Sequence, residues 1–318
     1  MTELNELLIE AVKEKLPEGQ NLAHTLSDLL YLGKEAIYRR LRGEVPFTLT
    51  EAAILSQKMG VSLDKLISSS QERSALFNLN MTQDANPMES YTHILNKYTA
   101  LFKVLSSDPE SELCTSSNVL PQTVYLRYEL LSKFRLFKWM YQNAKVAGTG
   151  CFEELKIPAE LAGAKKEFVK ASQLLHSTNY ILDEKAFTNI INDIQYFVDA
   201  HLLTPDEKKA IKEELLVLVD DLYNIARNGR FESGNEVKIY ISSVNFEATY
   251  SYLRASQYCL SMIRIYAINA ITTQDLEVFG NLKEWIQSLK KFSTLISESG
   301  EMQRILFFKR QRELISAM

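Results

Sequence analysis

Residues 26–44 read "LSDLLYLGKEAIYRRLRGE", with apolar side chains at Leu26, Leu30, Leu32, Ile37 and Leu41, Gly33 in the middle and Gly43 at the end. Apolar positions separated by three and four residues follow the period of an amphipathic helix, and a glycine between two such runs marks a tight connection. The stretch predicts one helix through Leu22, Leu26, Leu29 and Leu30, a connection at residues 31–33, and a second helix from about Lys34 to Gly43. Glycine suits the left-handed position that follows a helix. Four cations and a tyrosine (Lys34, Tyr38, Arg39, Arg40 and Arg42) fall within nine residues of that second helix.

The flanking sequence extends the pattern. Leu4, Leu7, Leu8, Ala11, Val12 and Leu16 predict an amphipathic helix over residues 3–16, stopped by Pro17 and Gly19. "TLTE", residues 48–51, has capping-box spacing and opens a fourth helix that ends at Gly60. Ser62 then caps a fifth, carrying Leu63, Leu66 and Ile67. Five short helices in this span predict an all-helical domain over residues 1–70. Residues 71–88 carry serine and Asn-Pro linker signals, although "ALFNLNM", residues 75–81, alternates as a strand would.

The chain has 318 residues and a net charge of −4, with an isoelectric point near 5.8. That balance excludes a protein coated in positive charge, so any anion-binding face has to be local. Residues 1–67 hold eight Lys and Arg against ten Asp and Glu, net −2, yet Lys34, Glu35, Arg39, Arg40 and Arg42 sum to +3. On a 3.6-residue repeat Lys34, Glu35, Tyr38, Arg39 and Arg42 share one side, opposite Ile37 and Leu41. A helix placed this way can lie in the major groove of double-stranded DNA. Lys34 and Glu35 then sit at the end that probes base edges, Arg39 can take a two-pronged contact to guanine, Tyr38 meets a thymine methyl or a phosphate, and Arg42 meets a phosphate. Arg40 points partly inward and pairs with Glu44 or Glu51.

These residues, with "TLTEAAILSQKMGVSLDKLI" after them, resemble the lambda-repressor-like (Cro-type, XRE) helix-turn-helix family over about residues 3–67. The resemblance implies that the exposed side of the third helix reads DNA, which carries over by position to Lys34, Glu35, Tyr38, Arg39 and Arg42. The sequence departs from the family at Ser27, where alanine is usual, at Tyr31, where glycine makes the turn, and at Gly33, where serine often caps. The sharp turn therefore has two placements, at Tyr31 or at Gly33, and the second shifts the helix start by a residue. The family's phosphate-contacting glutamine aligns with Ala23, leaving Asn21 or His24 as weak substitutes.

Beyond residue 88 helices are predicted near 89–106, 122–143, 159–176, 183–201, 205–228, 274–291 and 299–316. "EVKIYISSVNF", residues 236–246, alternates as a strand, and "CLSMIRIYAINAI", residues 259–271, is a strand or a buried helix. The latter is broken by Arg264 and too short to span a bilayer. No basic and apolar leader opens the chain, and three widely spaced cysteines fit reduced thiols, so a cytoplasmic protein with no membrane partner is expected. The four histidines have no zinc spacing, and no phosphate loop or nucleophile motif is present, so neither enzyme activity, metal nor cofactor is expected. Residues 124–142 are the most aromatic stretch, read as core or interface before ligand pocket.

The fold class expected is mainly α: a five-helix N-terminal domain, a linker, and a mostly helical domain over residues 89–318 with a small antiparallel sheet. The function expected is a sequence-specific DNA-binding transcription regulator, a homodimer whose second domain senses a small ligand or a peptide. The alternative is a protein-interaction scaffold or peptide-receptor regulator whose helical C-terminal domain binds a protein or peptide partner.

Overall fold

Short polar side chains start the helices at the N-terminal end of the chain. Asn21 Oδ1 accepts from the His24 amide at 3.1 Å. Thr48 Oγ1 accepts from the Glu51 amide at 3.2 Å while Glu51 Oε2 accepts from the Thr48 amide at 2.8 Å, a complete capping box. In a computed structural model, which describes residues 2–16, 20–63, 66, 75–82, 86–143 and 150–318, the chain divides into two units, Met1–Leu76 and Phe77–Met318. The first contains α1 (Thr2–Glu14), α2 (Leu22–Leu30), α3 (Lys34–Leu41) and α4 (Leu49–Met59). Its core is closed by Leu8, Val12, Ala23, Leu26, Leu30, Ile37, Leu55 and Val61. Gly60, at φ 69°, supplies the left-handed residue that ends α4.

The second unit is built on one eight-stranded sheet, in the order β1-β7-β6-β5-β2-β3-β4-β8. The strands are β1 (Asn78–Asn80), β2 (Glu112–Ser117), β3 (Ser177–Asp183), β4 (Glu236–Ser242), β5 (Tyr250–Ala255), β6 (Tyr258–Ile265), β7 (Asn269–Thr273) and β8 (Ser293–Leu295). At its centre β2, β3 and β4 run parallel, with Leu113 opposite Thr178 and Tyr180 opposite Ile239. The meander β5-β6-β7-β1 adds to β2, and β8 to β4, antiparallel. The helices are α5 (Pro87–Leu105), α6 (Gln122–Tyr125), α7 (Glu129–Gln142), α8 (Ala159–Ser172), α9 (Ala186–Asp199), α10 (Pro205–Asn228), α11 (Leu276–Leu289) and α12 (Glu301–Ser316).

Because successive strand residues point to opposite faces, the sheet feeds two cores. Leu113, Tyr180, Leu182, Val237, Ile239 and Leu253 join the larger one, shared with α5, α7–α10 and α12. Cys114, Ile181 and Tyr252 join a smaller one closed by Ile286 and Leu289 of α11. Helices thus cover both faces.

This architecture corrects the expected mainly α fold with a five-helix N-terminal domain and a small antiparallel sheet. Among the described residues the N-terminal unit has four helices, and the expected fifth, from Ser62 to Ile67, lies largely outside them. The sheet is large and mixed, with a parallel centre. The strands missing from the expectation are β2, β3 and β8, since "ATYSYLRAS", residues 248–256, from which β5 forms, is rich in β-favouring residues. "ELCTSS" and "STNYILD", which form β2 and β3, are buried on both faces and so lack the alternation that marks a half-exposed strand. Their polar side chains are satisfied by one another: Thr115 and Ser251 hydroxyls lie 2.9 Å apart, and Asn179 Nδ2 donates to Glu112 Oε1 at 3.2 Å. The ambiguous residues 259–271 are strands β6 and β7. The aromatic stretch is mostly core, with Tyr125, Tyr128, Phe134, Phe137 and Trp139 buried and Tyr141 exposed. Among the described residues no helix is long and apolar enough to cross a membrane.

Candidate nucleic-acid interface

The turn between α2 and α3 is made at Tyr31, which adopts the left-handed conformation (φ 53°, ψ 39°). Gly33 is instead extended at the N-terminus of α3, so the helix starts at Lys34, the unshifted placement. Ser27 explains how the turn holds without glycine at position 31. Its hydroxyl donates to the Leu32 carbonyl at 2.6 Å, and its carbonyl accepts from the Leu32 amide at 3.2 Å. A non-glycine residue in this region costs on the order of 1–3 kcal/mol. The Tyr31 ring is 92% exposed and contributes little packing in return. Tyr31→Gly is therefore expected to stabilise the α2–α3 pair by about 1 kcal/mol, read as slower amide hydrogen exchange in both helices.

Ile37, fully buried, anchors α3 against Leu26 and Leu55 in the core. Lys34, Glu35, Tyr38, Arg39 and Arg42 are all exposed. Gly33 offers no side-chain cap, so the first amides of α3, beside Lys34, form an electropositive end. Gly43, at φ 75°, turns the chain away after the last residue of the helix.

The charges on this face are partly matched. Arg42 Nε lies 2.6 Å from Glu44 Oε1 and Arg42 Nη2 3.6 Å from Glu35 Oε1. Arg39 Nε lies 3.5 Å from Glu44 Oε2. The hydrogen bond from Arg42 holds the Glu44 carboxyl below the ordinary carboxylate range, and the same bond raises Arg42. Lys34 has no partner of this kind among the described residues, so the face sums to +1 once Glu35 and Glu44 are counted with Lys34, Arg39 and Arg42.

Arg40 belongs to the scaffold. Its Nε and Nη2 bond to Glu51 Oε2 and Oε1 at 3.0 and 2.8 Å, with both side chains less than 15% exposed. Glu51, not Glu44, is its partner. The Asn21 oxygen is committed to its helix cap, His24 Nδ1 sits 3.6 Å from Asp28, and Ala23 is buried. Two residues missing from the expected face bear on it. Glu44 was legible as an acid two positions beyond Arg42, and Tyr31 as a bulky residue where a turn wants glycine. No protein family, curated protein or solved structure matches the chain.

Proposed function

We propose that the chain is a sequence-specific DNA-binding transcription regulator of the helix-turn-helix kind, acting in the cytoplasm as a homodimer. The observation that carries this is the exposure of Lys34, Glu35, Tyr38, Arg39 and Arg42 on one side of α3, the second helix of a tightly braced pair. α3 enters the major groove with Lys34 and Glu35 leading, Arg39 and Tyr38 reach base edges, and Arg42 leaves Glu44 for a phosphate. One such helix buries little DNA surface, so a second copy is required to read two half-sites about 34 Å apart. The exposed Met302, Ile305 and Leu306 of α12 give the second unit an apolar face for that pairing. The second unit also senses the signal.

The small net charge of the reading face favours one rival, a scaffold whose N-terminal unit binds another protein. Selection from random-sequence duplexes separates the two: the regulator returns an enriched motif, the scaffold none. Glu44 competes with phosphate for Arg42 and Arg39, so Glu44→Gln is expected to raise affinity for non-cognate duplex about two- to fivefold. Fluorescence anisotropy at fixed salt reads this change.

A further inference from the structure

Between α5 and the β5–β7 meander the second unit encloses a cavity of about 60 Å³. Its walls are mainly apolar, among them Ile94, Leu253 and Leu260. No Asp or Glu lines it, while Arg135 and Arg264 both do. A buried cation ordinarily has a matched anion, because an uncompensated charge away from water is costly.

Among the described residues Arg135 has one distant, shared carboxylate, and the half-buried Arg264 has none. Arg135 is 8% exposed, and its nearest carboxylate oxygen, Asp193 Oδ2, is 3.7 Å from Nη1. That same oxygen lies closer to Lys138, at 2.5 Å, so it is shared between two cations. Arg135 Nε has no hydrogen-bond partner. Arg264 donates to the Ile268 carbonyl at 2.8 Å, and no carboxylate lies within ion-pair distance of it among the described residues. Tyr125 is 1% exposed, lines the same cavity, and its hydroxyl also lacks a partner. The Arg135 guanidinium stands 5.6 Å from the Tyr125 ring centre, so the cation meets the ring face and the two residues share one wall of the cavity. Gln122, also buried, donates to Tyr91 Oη at 3.0 Å and completes a polar corner in an otherwise apolar chamber.

We propose that this cavity binds a short-chain monocarboxylate of about two or three carbons, with its carboxylate between Arg135, Arg264 and the Tyr125 hydroxyl and its methyl or ethyl group against Ile94, Leu253 and Leu260. Two guanidinium groups supply donors only, the phenol hydroxyl can donate beside them, and planar guanidinium suits carboxylate. The modest volume excludes a nucleotide or a long acyl chain. The site lies within the second unit, and its existence does not depend on DNA reading.

The test uses the full chain with formate, acetate and propionate, each paired with its neutral amide, followed by thermal shift and titration calorimetry. At least one acid is expected to raise the melting temperature and to bind about tenfold or more tightly than its amide. Arg264→Gln is expected to weaken that acid by about tenfold or more. Tyr125→Phe removes a hydroxyl that has no partner in the unliganded protein, so it leaves the unliganded melting temperature unchanged while weakening the acid severalfold. If Arg264→Gln fails to fold, Tyr125→Phe carries the decision. Absence of binding by all three acids, equal binding of acid and amide, or unchanged affinity in the variants overturns the proposal. A negative result leaves a selected DNA motif untouched, so failure here is distinguishable from failure of the DNA reading.

Discussion

Glu51→Ala is expected to destabilise the N-terminal unit by about 2 kcal/mol, between the cost of breaking a surface pair and that of breaking a fully buried one. The carboxylate does two jobs at once. It receives both prongs of Arg40 at 3.0 and 2.8 Å, and it accepts the Thr48 amide at 2.8 Å at the start of α4. Alanine strands the Arg40 guanidinium between α3 and α4 and leaves the first turn of α4 with half its capping box. Hydrogen exchange at the α2–α4 amides measures the loss, and an exchange pattern like the parent's would remove Glu51 from the scaffold. The same carboxylate carries a pH dependence. Burial pushes its pKa up, but the Arg40 hydrogen bond and the Thr48 amide together bring it below the ordinary value. A depressed folded-state pKa means that the stabilisation is complete above the unfolded carboxylate value of about 4.3 and is lost as pH falls through the folded value. Protection of these amides is therefore expected to hold from neutrality to about pH 5 and to decline below about pH 4, while in Glu51→Gln that particular decline is absent.

Arg39→Ala is expected to lower affinity for a selected operator roughly ten- to a hundredfold, the span of one two-pronged contact to guanine. Its stability effect should be close to nil. Arg39 is exposed, and its ion pair with Glu44, at 3.5 Å, is a surface pair of the kind that contributes little. Binding isotherms on the operator and on a duplex changed at single positions separate base reading from phosphate contact. Loss confined to one base pair assigns Arg39 to the groove floor; uniform loss with a shallower salt dependence assigns it to the backbone. Intact operator affinity at an unchanged melting temperature would place the reading face elsewhere.

Much of the N-terminal unit was legible because its elements are short, capped and periodic. Ile37 against Lys34, Glu35, Tyr38, Arg39 and Arg42 gives a two-sided helix from spacing alone. The Thr48–Glu51 capping box is a local contact three residues apart, and local contacts leave their mark in sequence. The pairing of Arg40 spans eleven residues, and sequence left Glu44 and Glu51 equally available. The turn shows the same limit. Tyr31 is an unfavourable choice for a left-handed residue, and only the Ser27 bonds to Leu32 reveal how it is accommodated.

The second unit was read less well, for a related reason. A strand half in water alternates, and β4 was recognised on that basis. Strands β2 and β3 lie between two helical layers and are buried on both faces, so no alternation survives, and their Ser, Thr and Asn residues resemble a loop until their cross-strand partners are known. The cavity was hidden more deeply still. Arg135 sits in a helix that sequence read as core or interface, and Arg264 interrupts an apolar run 129 positions later.

From sequence alone, periodicity and capping determined where the helices α1 to α4 lie, which side of α3 faces outward and the charge that side carries. Tertiary structure alone decided the eight-stranded order with its parallel centre, the partner of Arg40, and the meeting of Arg135, Arg264 and Tyr125 in one apolar chamber. Helix period and caps arise from groups within a few residues of each other. Strand order, ion-pair choice and the gathering of polar groups in an apolar chamber arise between groups that only the folded chain brings within reach.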